Sequence, residues 1–156
     1  IPFKPQVWNF MDICKDTFEI LNPTAKEKNI GINYTSVDHI NVFADIDMLK
    51  TVLRNLLSNA IKFTNNGGTI NISAAQNSEV VTISVSDNGV GISTDDLSKL
   101  FDISEVHTAT GTAKEKGTGL GLLICKELIE KHQGRIWVES EVGKDSDFKF
   151  TIPRCA

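Results

Sequence analysis

Asn55, Asn59 and Lys62 fall at i, i+4 and i+7 of the stretch DIDMLKTVLRNLLSNAIKFT, residues 45–64. That spacing stacks the three side chains on one face of a helix. Two amide oxygens beside an ammonium can ligate a divalent ion and meet phosphate, as a magnesium nucleotide requires. They can also cap neighbouring loops or face water, since asparagine is a poor choice inside a helix. A second candidate is DNGVG, residues 87–91. Asp87 ends a half-buried strand and could accept from an exocyclic amine such as adenine N6, while Gly89 and Gly91 let backbone approach a ligand. The competing reading is a plain turn capped by Asp87. A third is GTGLGL, residues 117–122, directly before a helix. Glycine-rich backbone there offers N–H groups and a positive dipole end to phosphate; the alternative is a hinge. It is neither a Walker A loop nor a dinucleotide fingerprint, because no GK[ST] follows and no strand immediately precedes it.

These residues need elements to hold them. Met48, Leu49, Val52, Leu53, Leu56, Leu57, Ala60 and Ile61 recur with a helical period, and Asp45 or Asp47 can cap that helix. Upstream, Val7, Phe10, Met11, Cys14, Phe18, Leu21 and Ala25 predict a helix from about 6 to 28, with a break or restart near Pro23. Ile30, Ile32 and Tyr34 read as a short strand, and Val42-Phe43 as another. Residues 69–74 and 79–86 alternate cleanly across a polar turn and predict an antiparallel hairpin. Ser93 to Leu100 reads as a short helix capped by Ser93, and the irregular stretch 101–116 as a mobile loop. Leu120 to Lys131 predicts a helix closed by Gly134, and strands follow around Ile136–Val138 and Phe148–Ile152. The pattern is α+β, a two-layer sandwich with helices on one face of a mixed sheet.

The chain has 156 residues, 40% of them hydrophobic, which fits a single domain over residues 1–156. Its net charge of −4 argues against a nucleic-acid partner. Cys14, Cys125 and Cys155 are too far apart for a metal motif, and their odd number fits a reducing compartment. No apolar run reaches the length of a membrane span, and no signal peptide is present. The start at Ile1 reads as a fragment of a longer protein.

The three motifs in this order resemble sensor histidine kinases. NLLSNAIKFT is similar to their N box, DNGVGI to their first glycine box, and FDI at 101–103 stands in place of their F box. GTGLGL with the following LLICKELIEKHQGRIWVESEVG resembles the second glycine box and its downstream strand. The likeness covers nearly the whole chain and identifies it as a member of the catalytic, ATP-binding domains of two-component kinases, in the GHKL superfamily. It implies a five-stranded, mostly antiparallel sheet under three main helices, the fifth strand coming from the weak N-terminal strands. It implies ATP and Mg²⁺ as cofactors. Asn59 is then the main Mg²⁺ ligand, with Asn55 near the ion or its water, and Lys62 meets phosphate. Phe63 packs near the nucleotide or serves as a plain core aromatic. Asp87 holds the adenine amino group, with Gly89 and Gly91 against the base. Gly117, Thr118, Gly119, Leu120, Gly121 and Leu122 shape the phosphate cradle, and residues 102–116 form a lid.

The resemblance also implies partners: an upstream dimerisation and histidine-phosphotransfer domain of the same protein, and a response regulator or receiver domain. The fragment is then a monomer and the full protein a dimer, with this domain cytoplasmic and the parent anchored in a bacterial inner membrane. The γ-phosphoryl passes to a histidine outside the fragment, because His39, His107 and His132 lack the acid-flanked helical context of the family's acceptor; all three read as surface residues. One departure stands out. The family's last glycine box runs as in GKGSTF, whereas here Asp145 and Asp147 replace a glycine and the threonine, implying a tighter or more negative base pocket. Two other readings remain. One is a non-catalytic nucleotide-sensing or docking module. The other is a different enzyme of the superfamily, an anti-sigma serine kinase or an ATPase, although those carry an acid where this chain has Asn55.

Overall fold

The computed structural model describes residues 2–35, 39–93 and 121–154. Strand β1 (Gln6–Asn9) leads directly into helix α1 (Phe10–Glu27); β2 (Gly31–Thr35), β3 (Asn41–Ala44) and helix α2 (Ile46–Phe63) follow. Then come the hairpin β4 (Thr69–Gln76) and β5 (Val80–Asp87), helix α3 (Gly121–Lys131), and the hairpin β6 (Ile136–Ser140) and β7 (Ser146–Pro153). Five strands form one sheet in the order β2-β4-β5-β7-β6. β2 runs parallel to β4 and every other pair is antiparallel. This is the expected α+β sandwich with a mixed five-stranded sheet. The expected helix over 93–100 lies outside the described residues apart from Ser93, as do the lid over 102–116, the FDI stretch, His107 and Cys155.

The alternation of β4, β5 and β7 sorts side chains by face. Ile70, Ile72, Ala74, Val81, Ile83, Val85, Phe148, Phe150 and Ile152 are all buried beneath the helices. Helix α2 lays all eight of its predicted apolar residues into that core. Asp45 is its N-cap: one carboxylate oxygen accepts from the Met48 amide at 3.1 Å, the other from the Lys4 amide at 3.0 Å. These bonds hold the Asp45 carboxyl below its ordinary range against the opposing effect of burial.

Three differences from the sequence reading have local causes. Residues 6–9 form a strand, not the first turn of a helix. Val7 and Phe10 match a helical spacing, but β1 pairs with β3 in a separate two-stranded ribbon, and the Trp8 indole donates to the Ala44 carbonyl at 3.1 Å. Consequently only β2 supplies the fifth strand of the main sheet. Pro23 does not end α1: it lies on the exposed face, and the helix runs on to Glu27 with Thr17 and Ala25 on either side buried. His132 is not a surface residue: it is 3% exposed, and its Nε2 accepts from the Asp45 amide at 3.1 Å while Nδ1 lies 2.8 Å from the Leu128 carbonyl. The ring of Phe3 meets it edge-on.

Asp45 thus closes α2 and ties down the first residues of the chain. Asp45→Ala is expected to cost about 1–2 kcal/mol, the value of an N-cap in a well-packed helix. Urea unfolding monitored by circular dichroism should show a lower midpoint with an unchanged slope.

Candidate functional site

The polar face of α2 is what remains after its apolar stripe is buried. Asn55, Asn59 and Lys62 are each half-buried along it, one turn apart. Asn55 is turned toward α3: its amide oxygen lies 3.5 Å from where a Cβ on Gly121 would sit, and the buried Cys125 thiol of α3 donates to the Val52 carbonyl of α2 at 3.8 Å. Gly121 therefore brings the start of α3 close to the N-terminal half of the stripe. At the other end the Lys62 ammonium sits 4.9 Å above the centre of the Phe63 ring, a cation–π contact.

The end of α2 is joined to the DNGVG loop through one carbonyl. Phe63 O accepts from the Val90 amide at 3.2 Å. A Cβ on Gly89 would collide with that same carbonyl and lie 2.8 Å from an Asp87 carboxylate oxygen, so only glycine fits. Gly91 has φ 75° and packs against the Glu141 carbonyl, which closes the loop onto the β6–β7 turn. Gly143 N–H donates to Val90 O at 2.8 Å, and Ile92 N–H to Ser140 Oγ at 2.9 Å.

Asp87 lies inside this frame, 5% exposed at the end of β5. One carboxylate oxygen accepts from the Gly89 amide at 2.9 Å. Burial pushes the carboxyl up to about 6, the Gly89 bond opposes the rise, and the charges of Asp145 and Asp147 add to it. The negative field expected of those two aspartates thus reaches Asp87. The side chain of Asp147 does not enter the pocket, however. In the β5–β7 register Asp147 faces Ser86 and Ser146 faces Asp87. Asp147 accepts from Ser86 Oγ at 3.0 Å and pairs with Lys149 at 3.6 Å, on the sheet face away from the helices.

Ser146 is a residue the motif reading missed. It is 4% exposed, opposite Asp87, with its hydroxyl 2.8 Å from that of Ser140. The period of two from Phe148 and Phe150 already places it on the helix-facing side. Gly121 and Leu122 open α3, while Gly117, Thr118, Gly119 and Leu120 lie outside the described residues.

The donor set can be tested for a magnesium ion. Among the described residues no group of three His, Cys, Asp or Glu side chains could hold a metal. Neutral amides of Asn55 and Asn59 suit a hard cation whose other ligands are phosphate oxygens and water, which is how Mg²⁺ commonly binds beside a nucleotide. The residues fit the ion in that role and not as an all-protein cage. No described helix is long and apolar enough to cross a membrane.

Comparison with known proteins agrees with this geometry. Residues 44–156 match the family described as histidine kinase-, DNA gyrase B-, and HSP90-like ATPases. The chain is 38% identical over 153 residues to the adaptive-response sensory kinase SasA of Prochlorococcus marinus, covering 97% of this chain and 40% of that protein. It spans less than half the length of the curated relatives it matches. The catalytic domain of histidine kinase ThkA superposes with a TM-score of 0.81 at 29% identity, covering 97% of this chain and 98% of that one. ThkA has also been solved with the response regulator protein TrrA, matching at a TM-score of 0.81 and 26% identity over 98% of this chain and 42% of that one. Full-length ShkA in complex with AMPPNP matches at a TM-score of 0.83 and 27% identity, over 100% of this chain and 32% of that one. The chain belongs to the histidine kinase-, DNA gyrase B- and HSP90-like ATPase family, and its relatives there are sensor histidine kinases.

Proposed function

We propose that this chain is the catalytic unit of a two-component sensor kinase, one that binds Mg-ATP and presents the γ-phosphoryl group to a histidine on a separate dimerisation domain of the parent protein. The observation that carries the reading is the single frame built by α2 and the glycine loop. The Asn55–Asn59–Lys62 stripe ends at the Phe63 carbonyl, and that carbonyl holds the loop bearing buried Asp87. In this reading Asp87 selects the base: one oxygen is engaged by Gly89, and the other accepts from the adenine amine. Guanine presents an oxygen there, leaving two acceptors facing each other at a cost of roughly 1–3 kcal/mol. Lys62 moves from the Phe63 ring to phosphate. Asn59, with Asn55 beside it, orients a magnesium ion, which when bound neutralises charge on the phosphate oxygens. Gly121 and Leu122 continue the cradle begun by residues 117–120. A response regulator or receiver domain takes the phosphoryl group onward, which the ThkA–TrrA complex supports by analogy.

The chain itself positions and neutralises; it supplies no nucleophile. Among the described histidines, His132 has both ring nitrogens engaged and His39 sits in a turn. Asn55 stands where hydrolases of the superfamily use an acid, and an amide cannot take a proton from water.

Three outcomes test this. Asn59→Ala should lower Mg-dependent ATP affinity at least tenfold, about 1.4 kcal/mol by calorimetry, with cooperative melting retained because alanine is the better helix former. Unchanged affinity would remove Asn59 from the ion site.

Asp87 carries two opposite pH dependences. Its folded value of about 6 lies above the ordinary 3.8, so the fold binds this proton more tightly than the unfolded chain does. Stability contributed by the protonated form is therefore lost as pH rises from about 4 through 6. Asp87→Asn should melt higher than the parent at pH 8 and lose that advantage near pH 4, the difference reaching at most about 3 kcal/mol. Adenine nucleotide binding by the parent should strengthen as pH passes 6, since only the carboxylate accepts from the amine. Equal ADP and GDP affinity would defeat the assignment.

Incubated alone with γ-labelled ATP, the chain should acquire no acid-labile, base-stable label; adding the parent's upstream domain should produce it. Stoichiometric labelling of the isolated chain would overturn the two-domain mechanism. ATP binding without label in either mixture would favour a sensing or docking module.

A further inference from the structure

Lys28 is a lysine buried to 5% exposure, at the point where α1, α2 and the turn after α2 meet. Its ammonium donates to the carbonyls of Ile61 at 2.9 Å and Lys62 at 3.3 Å, in the last turn of α2. The Ile61 carbonyl also accepts from the Thr64 amide, but at 3.4 Å, so the ammonium is its nearer partner. The backbone of Lys28 is held on both sides: its N–H donates to Ala25 O at 3.1 Å, and its carbonyl accepts from Gly67 N–H at 2.8 Å. A cation at a helix C-terminus meets the negative end of the helix dipole, and burial strengthens that attraction.

We infer that Lys28 is a positioning residue of the nucleotide site: by clamping the Ile61 and Lys62 carbonyls it sets the direction in which α2 ends. The residues at that end are Lys62, assigned to phosphate, and Phe63, whose carbonyl anchors Val90 and abuts Gly89. Lys28 acts through those two residues and touches no part of the nucleotide. The inference rests on the nucleotide reading above.

The test is calorimetric binding of Mg-ATP and of adenosine to the 156-residue chain, to Lys28→Met and to Lys28→Arg. Lys28→Met should lose roughly tenfold in Mg-ATP affinity and bring the ATP-to-adenosine ratio down, because the phosphate contact moves most; Lys28→Arg should recover most of both. A merely structural lysine would lower the melting temperature and leave the ratio alone. A second measurement needs no substitution: the nitrogen-15 ammonium resonance of Lys28 should shift when the unaltered chain is saturated with Mg-AMPPNP. That shift decides the matter if Lys28→Met does not fold. An unchanged ratio in folded Lys28→Met, or an ammonium signal that stays put at saturation, overturns the inference. Failure of the unaltered chain to bind any nucleotide overturns the nucleotide reading and this inference with it, and is seen before any variant is made.

Discussion

Everything in the site depends on how α2 sits on the sheet. Eight apolar residues, from Met48 to Ile61, are buried against strands and neighbouring helices, and this burial leaves one rotation of the helix about its axis. The polar stripe faces where it does because the apolar stripe cannot face elsewhere. The two ends of the helix are then fixed by charge: a carboxylate at Asp45 completes the N-terminus and an ammonium from Lys28 completes the C-terminus. Both agree in sign with the helix dipole. A helix fixed in rotation and at both ends can place side chains with the precision that a phosphate and its counter-ion demand.

Asp87 illustrates the opposite condition. A carboxyl that burial and two nearby aspartates drive toward neutrality is a liability to the apo fold. Its place in a loop whose Gly89 tolerates no side chain suits work that an amide would not do. Binding of an amine-bearing base would offset part of the desolvation by supplying a donor. In the proposed reading the site would be completed by its ligand.

Long periodic elements were legible in the sequence because their pattern and their packing have the same cause. All eight predicted core positions of α2 are buried; β4 starts where expected and runs on to Gln76, and β5, Val80–Asp87, is shifted by one residue from its expected span. Short elements were not legible. The four residues of β1 contain too little alternation to outweigh a helical match that continues into α1, and only the partner strand β3 decides their state. The three site motifs were visible as residue types, but their junction was not. A backbone carbonyl, Phe63 O, joins the first two of them, and no side-chain pattern marks a carbonyl. His132 read as a surface residue because it follows a helix end, and its burial comes from Asp45 and Phe3, far away in sequence. The role of Asp147 depended on strand register, which places it one residue out of phase with Asp87.

The pairing of β5 with β7 joins the part of the chain before residue 94 to the part after residue 120. The Gly143–Val90 and Ser140–Ile92 hydrogen bonds pin the near side of that gap, and Asn55 against Gly121 pins the far side. Both anchors are made by residues outside the intervening segment. The two parts of the frame are thus held in register by strand pairing and hydrogen bonds among the described residues.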